Sequence, residues 1–438
     1  MRRRMNRFGP LATTAAAPVA GGQPPLQALP RAASPNRFVR WALYGFVFSL
    51  PFDAPGRLPL ELTTMTGALF LAATVVQPRL CYGRRPAAFW WFLAYLYVYW
   101  MSYVLGGAQH SSDALRSFLF YLQGLLIFLA CFNLMRYEMV TEKALFALVI
   151  ACVTLALMTV LGVATKVGEG SHRVTVFGQN PNRAARVLVA GLLALVGLAY
   201  GRSRSALRSR FKVWPSAGLI GLALVMGGSR GGLLSLAAGL WTFAFGGKNL
   251  GIKLRNAFLA LLAIGFVVWA SFQSPVMMKR INEAQEGNLA GREKIFPAAW
   301  HMFREKPLIG WGPDNQYQLA VRLRLPAEQY ASRDTHNLAL EVLTGTGLLG
   351  SIPFFLGIWL CFWAAWKARD GTQGILPFAM IAALLVGNMS GNYIVLKLQW
   401  LILAYALASG SQTAGWQQWR AAAAAPLRLS RVTRRSAR

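Results

Sequence analysis

Residues 143–164 read KALFALVIACVTLALMTVLGVA. After Lys143 the stretch carries no charge, and as a helix it would run roughly 30 Å, the thickness of a bilayer's hydrocarbon core. Working outward from it, apolar runs of similar kind recur along the chain. Twelve candidate spans result: 39–54, 60–77, 87–105, 113–134, 143–164, 181–200, 212–227, 230–246, 254–273, 336–366, 374–390 and 392–409. The first is short, and only Gly228 and Ser229 part the seventh from the eighth.

Composition agrees. Of the 438 residues, 55% are hydrophobic and 14% charged, against about 25% charged in soluble domains. An ordinary soluble domain and a disordered chain are both excluded. The charge balance is less expected: 45 Lys and Arg against 15 Asp and Glu, a formal +30. In a soluble protein this would point to nucleic acid. Here the cations alternate with the spans. They fill the N-terminal arm (Arg2, Arg3, Arg4, Arg7, Arg31, Arg37) and the loops after the second span (Arg79, Arg84, Arg85) and the fourth (Arg136, Lys143). They recur after the sixth (Arg202 to Lys212), the eighth (Lys248, Lys253, Arg255) and the tenth (Lys367, Arg369), and in the tail from Arg420 to Arg438. The positive-inside rule then places these loops and both termini in the cytoplasm. The partner is membrane lipid, not nucleic acid. Five segments follow: a disordered basic arm (1–36), nine spans (37–273), a long external loop (274–335), three spans (336–410) and a basic tail (411–438). Cys81, Cys131, Cys152 and Cys361 lack metal-ligand spacing and read as small apolar residues.

The loop 274–335 holds nine cations, among them Arg292, Lys294 and Arg333, partly balanced by acids such as Glu283, Glu305 and Asp334. Three helices start on the same outer face. One begins Gly178-Gln179-Asn180-Pro181-Asn182-Arg183, with Asn180 as a cap and Arg186 one turn below Arg183. The second begins Ser229-Arg230-Gly231-Gly232, with Ser229 able to cap. The third begins Arg333-Asp334-Thr335-His336-Asn337, with Asp334 or Thr335 as the expected cap. Positive helix ends beside Arg183, Arg230 and Arg333 would make an anion site.

Plainer readings stand beside this one. Asn180-Pro181 suits any capped helix start. Arg230 could snorkel to the interface, although an Arg between two apolar spans points by default to function. His336 could be a surface residue. Residues 292–305 carry Ile295, Ala298, Ala299, Met302 and Phe303 at helical spacing, as any amphipathic helix does. The run 336–366 would span about 46 Å, so a break at Gly345, Gly347, Gly350 or Pro353 is expected, with His336 above the lipid or on a separate segment.

The outer acids form no metal-binding cluster, so metal-free chemistry is expected, without cofactors. Arginines suit a diphosphate leaving group, and a neutral His suits a general base. Together they suggest transfer of a group from a lipid-linked diphosphate to a hydroxyl outside the cytoplasm.

At this point the chain resembles the O-antigen ligase and polymerase superfamily of bacterial surface-polysaccharide enzymes. The Asn-rich motif at 178–183 and Ser229-Arg230-Gly231-Gly232 carry part of the likeness. The run from Arg292-Glu293-Lys294-Ile295-Phe296 through Trp300 to Pro307-Leu308-Ile309-Gly310-Trp311-Gly312-Pro313 carries more. His336-Asn337, then nine residues, then Gly347-Leu348-Leu349-Gly350 matches the ligase pattern and is the most specific. The resemblance spans roughly residues 39–410. It implies an all-α polytopic membrane protein of about twelve helices, similar to glycosyltransferases of the C type, with a long helical periplasmic loop. It further implies an inverting, metal-independent glycosyltransferase. The donor would be an undecaprenyl-diphosphate-linked O-antigen, the acceptor a sugar hydroxyl of lipid A-core, and the product lipopolysaccharide. His336 would be the base, and Arg230 and Arg292 would hold the diphosphate, with Arg183 and Arg186 as further contacts. Asn180 supports the Asn-rich motif, while Arg333, Lys294, Trp311 and Asn337 join the candidates from their nearness in sequence. Three rivals remain: an O-antigen polymerase, a protein O-oligosaccharyltransferase, and, last, a lipid-linked sugar transporter without catalysis.

Overall fold

The computed structural model describes residues 34–53, 62–106, 111–167, 173–200, 210–247, 249–286, 291–326, 334–391 and 394–424. These are mostly helical. Helices α1 (Arg37–Ser49), α2 (Leu62–Thr74), α3 (Pro78–Tyr82), α4 (Ala87–Gly106), α5 (Ser111–Leu134) and α6 (Glu138–Val160) come first. Then follow α7 (Pro181–Tyr200), α8 (Arg210–Met226), α9 (Arg230–Thr242) and α10 (Leu250–Phe272). The long loop contributes α11 (Pro275–Gln285), α12 (Arg292–Glu305) and α13 (Asn315–Arg322). The last three are α14 (Leu338–Lys367), α15 (Leu376–Asn388) and α16 (Lys397–Ala424).

Each of the twelve apolar segments carries a helix. Among the described residues, six helices are long and apolar enough to cross a bilayer: α4, α5, α6, α7, α10 and α14. The chain is therefore a multi-pass helical membrane protein. Helices α2, α8 and α15 are apolar but shorter. Helices α1 and α9 have 13 residues each, and such a helix reaches about 20 Å against a core of about 30 Å. The expected total of about twelve spans thus goes beyond what length and hydropathy establish.

Among the described residues, the structure departs from an all-α chain at one place. Thr165–Val167 and Val174–Val176 pair as a short antiparallel hairpin, β1 and β2, before α7. Val174-Thr175-Val176 is a β-branched run, which suits a strand and is too short to register as an apolar span. The last helix also differs: α16 starts at Lys397 and continues to Ala424, through the boundary placed at residue 410. Ser409 and Gly410 could mark an end there, but Ser409 Oγ donates back to Tyr405 O at 2.8 Å and the helix runs on.

The run 336–366 breaks where its glycines allow. Gly347 sits at φ 58°, ψ −160° inside α14, a conformation essentially reserved for glycine. The break frees backbone donors, and the loop before α13 takes them up. Leu348 N donates to Pro307 O at 2.8 Å and Leu349 N to Leu308 O at 3.1 Å, while Trp311 N donates to Thr344 O at 2.8 Å. The Pro-Leu-Ile-Gly segment therefore lies backbone to backbone on the kink. A Cβ on Gly347 would stand 2.3 Å from the Leu308 carbonyl carbon. Gly347→Ala should accordingly destabilise the protein by about 3 kcal/mol or more, read as a fall in melting temperature in detergent. Gly345→Ala, whose Cβ would meet nothing within 4 Å, should melt close to wild type. Equal melting of the two variants would refute the docking.

Candidate active site

Two of the three helix starts, those of α7 and α9, are stitched together by the polar groups at their caps. Asn180 Oδ1 accepts from Asn182 N at 2.9 Å, capping α7 after Pro181 fixes its first turn. Ser229 Oγ accepts from Gly232 N at 3.1 Å, capping α9, and donates to Asn182 Oδ1 at 2.9 Å. Arg173, from the hairpin, joins both: its Nη2 donates to Asn182 Oδ1 at 3.1 Å and its Nε to Gly227 O at 2.9 Å. The Asn-rich motif and the Ser-Arg-Gly-Gly motif are thus one assembly. Gly232 lets it close, since a Cβ there would lie 2.7 Å from Ala185 Cβ. Neither Asn182 nor Arg173 stood among the sequence candidates, although Asn182 lies inside the quoted motif.

The third start, α14, is capped by Asn337 rather than by Asp334 or Thr335. Asn337 Oδ1 accepts from Ala339 N at 2.9 Å and Leu340 N at 3.1 Å. The chain before it is turned so that His336 has φ 51°, which puts its carbonyl and side chain outside the helix. Asp334 takes the inner part of that turn instead. Its Oδ1 accepts from His336 N at 2.9 Å and pairs with the ring's Nδ1. An acid on Nδ1 orients the ring and leaves Nε2 as the nitrogen to take a proton. The turn is pinned from below by Glu341, a residue the sequence reading passed over. Its buried Oε2 accepts from Thr335 N at 3.1 Å and Thr335 Oγ1 at 2.8 Å. An acid within Leu338-Ala339-Leu340-Glu341-Val342 was a usable signal, because ionisable residues inside spans are seldom idle.

These starts converge on the C-terminal end of α15, which no sequence feature had marked. A helix end leaves unpaired carbonyls with partial negative charge. Arg186, only 6% exposed, donates from Nη2 to Gly387 O and from Nη1 to Asn388 Oδ1 at 3.3 Å. Asn337 Nδ2 donates to Met389 O at 3.3 Å and Arg292 Nη2 to Ser390 O at 2.9 Å. Gly231 packs so closely on Ser390 that a Cβ would reach 2.1 Å from its Oγ. Beside Arg186 lies a small, mostly apolar pocket lined by Val189, Met380, Leu384 and Ile402 among others.

Arg230 belongs to a cationic group. Its Nη1 donates to Arg280 O at 2.7 Å, and its charge interacts with Arg280, Arg292 and Glu283. Arg280 in turn pairs with Glu283 at 3.0 Å. Three guanidiniums and one carboxylate thus gather here among the described residues. Arg280 is an addition: in the sequence it was one loop cation among nine. Other candidates fall elsewhere. Arg183 lies in a separate pocket with Lys397. Lys294 is exposed on α12. Trp311 is held by Met302 O at 3.0 Å, under Lys306 at 4.0 Å and Arg322 at 4.8 Å, so it shapes the loop. Arg333 lies outside the described residues.

A polytopic helical membrane protein with an arginine-lined site at its helix starts is thereby defined. Its kind follows from comparison. Residues 215–355 match the O-antigen ligase family, a stretch that holds Arg230, Arg292, His336, Glu341 and Gly347. A curated relative, the general O-oligosaccharyltransferase of Acinetobacter baylyi, is 26% identical over 317 residues, covering 68% of this chain and 51% of that protein. The chain thus spans about half the length of the curated relative it matches.

Arg186 is a structural test of this assembly. Arg186→Ala would strip the end of α15 of its buried donors, at a cost of about 2–4 kcal/mol. The expected readout is a lower melting temperature in detergent. An unchanged melting curve would show that the end of α15 does not depend on it.

Proposed function

We propose that the protein is an O-antigen ligase. It transfers a glycan from undecaprenyl diphosphate to a sugar hydroxyl of lipid A-core on the periplasmic face of the inner membrane, completing lipopolysaccharide. The observation that carries this reading is the junction at the end of α15. There Arg292 and Asn337 hold consecutive carbonyls, those of Ser390 and Met389. The diphosphate-type cations Arg230, Arg280 and Arg292 are thereby tied to the turn that presents His336. The fold in this reading is that of a C-type glycosyltransferase, with the loop helices α11 to α13 covering the donor.

The acceptor hydroxyl attacks the anomeric carbon as the bond from that carbon to the diphosphate oxygen breaks. The hydroxyl proton passes to His336 Nε2, while Asp334 on Nδ1 stabilises the imidazolium that forms. The leaving undecaprenyl diphosphate keeps the bonding electrons, and Arg230, Arg280 and Arg292 balance its charge, so the step needs no metal. Attack from the face opposite the leaving group inverts the anomeric centre. The relative's name favours a second reading, protein O-oligosaccharyltransferase, in which a Ser or Thr hydroxyl replaces the sugar hydroxyl and the donor chemistry is unchanged. A polymerase would use another lipid-linked glycan as acceptor.

Incubating the purified protein with undecaprenyl-diphosphate glycan, rough lipopolysaccharide and a chelator separates these readings. Transfer to lipid A-core should proceed, and loss of activity in chelator would overturn the metal-free step. Longer lipid-linked glycan without transfer would indicate the polymerase, and a glycosylated protein acceptor the oligosaccharyltransferase. His336→Ala should slow turnover by about 10²–10⁴-fold. Retained turnover would remove it as the base. Arg230→Lys should lose about tenfold or more, because an ammonium cannot reproduce the fork. Near-normal rates there would leave Arg230 a structural role.

A further inference from the structure

Arg183 was expected beside the diphosphate, yet the structure sets it in a different pocket. This small pocket lies between the start of α7 and the start of α16, and is lined by Leu50, Asp53, Gln179, Arg183, Val187 and Lys397 among others. Neither Arg230, Arg292 nor His336 contributes to it. Lys397 is only 7% exposed, with its Nζ donating to Thr64 Oγ1 at 2.8 Å and lying 5.2 Å from the centre of the Phe120 ring. A buried lysine in a membrane protein is costly unless an anion or a pathway uses it. Asp53 is the one acid in the lining among the described residues, and its Oδ1 accepts from Thr63 Oγ1 at 2.7 Å. Two cations therefore face one carboxylate already engaged by a hydroxyl.

A second observation points to a ligand. Gln179 is 5% exposed, and its Nε2 is buried without a hydrogen-bond partner. A buried amide left unpaired costs free energy, so a donor in this position calls for an acceptor that enters the pocket. The backbone at the start of α7 adds the positive end of a helix. A neutral donor, a guanidinium, an ammonium and a helix start together suit a tetrahedral oxyanion.

We propose that Gln179, Arg183 and Lys397 form a second anion subsite, which takes a phosphate group of a membrane lipid other than the glycan donor. Resting on the ligase reading, that group is a phosphate of the acceptor glycolipid. The same chemistry could be supplied by a phospholipid headgroup. Two anion sites then sort the two substrates: the Arg230 group holds the diphosphate that leaves, and the Gln179 pocket holds a phosphate that stays.

Binding without donor or turnover tests this. The full chain, in nanodiscs of phosphatidylcholine, is titrated with lipid A-core glycolipid before and after phosphatase treatment. Phosphate removal should weaken binding about tenfold or more. Gln179→Glu, which keeps the size and adds a repelling charge, should bring the intact glycolipid down to the treated one. Lys397→Met should do the same, with inorganic pyrophosphate binding retained in both as the folding control. A nanodisc series with phosphatidylglycerol identifies the source. Competition by that lipid, lost in Gln179→Glu, would assign the pocket to a headgroup. Equal binding of treated and untreated glycolipid without such competition would overturn the proposal, as would a phosphate preference that survives both substitutions. Transfer is scored separately. A protein that transfers nothing but binds in this pattern loses the ligase reading and keeps the subsite.

Discussion

The end of α15 is where this structure is most constrained. Away from water, a helix terminus cannot leave its last carbonyls unpaired. The carbonyls of Gly387, Met389 and Ser390 are met by side chains from three other elements: Arg186 of α7, Asn337 before α14 and Arg292 of α12. Satisfying one helix end therefore fixes where three others begin. Two of those beginnings carry the proposed base and a proposed diphosphate ligand. The same bonds that satisfy the end of α15 bring these elements together.

The loop helices depend on a second device of the same kind. A helix broken at Gly347 exposes donors at Leu348 and Leu349, and the Pro307–Gly310 strand of loop answers them. Gly310 takes part from the other side, since a Cβ on it would lie 2.5 Å from the Gly345 carbonyl carbon. Neither partner makes sense alone. The glycines of the His-Asn and Gly-x-x-Gly pattern, read in the sequence as a bend, are the seat on which the Pro-Leu-Ile-Gly segment rests. That seat holds α12, and with it Arg292, at a set distance from α14.

What the sequence allowed to be read follows the range of the interaction. Capping is local, so Asn180 and Ser229 could be assigned from their neighbours. The cap of α14 was misplaced by two or three residues because three adjacent polar side chains all qualified. Only the left-handed turn at His336 shows that Asn337 takes the role. Apolar runs marked the helices, but length alone could not say which cross the membrane, as α1 and α9 show. The junction at α15 was invisible because its partners are distant in sequence: Arg186 and Gly387 are 201 residues apart. Arg183 and Arg186, one turn apart, were grouped as one anion site. Their side chains leave α7 in different directions, one into the Lys397 pocket and one onto α15. Glu341 and Arg280 carried signals, an acid in an apolar run and a paired loop cation, that only their partners make specific.

The large positive charge then takes on a narrower meaning. Most of it is distributed as the positive-inside rule expects, and what remains acts through how it is held. Arg230 rests on the carbonyl of Arg280, Arg292 on that of Ser390 and Arg186 on that of Gly387. A carbonyl can orient a guanidinium without cancelling its charge, whereas a carboxylate would do both. The cations are thus fixed before any ligand arrives, and those contacts leave their field intact. Preorganisation of this sort lowers the cost of meeting a charge that develops during reaction. It also explains why arginine serves here and lysine would not. The planar fork can spend one amino group on a backbone oxygen and turn its face or its other edge toward a phosphate. An ammonium tied to a carbonyl has no such second edge in a fixed plane.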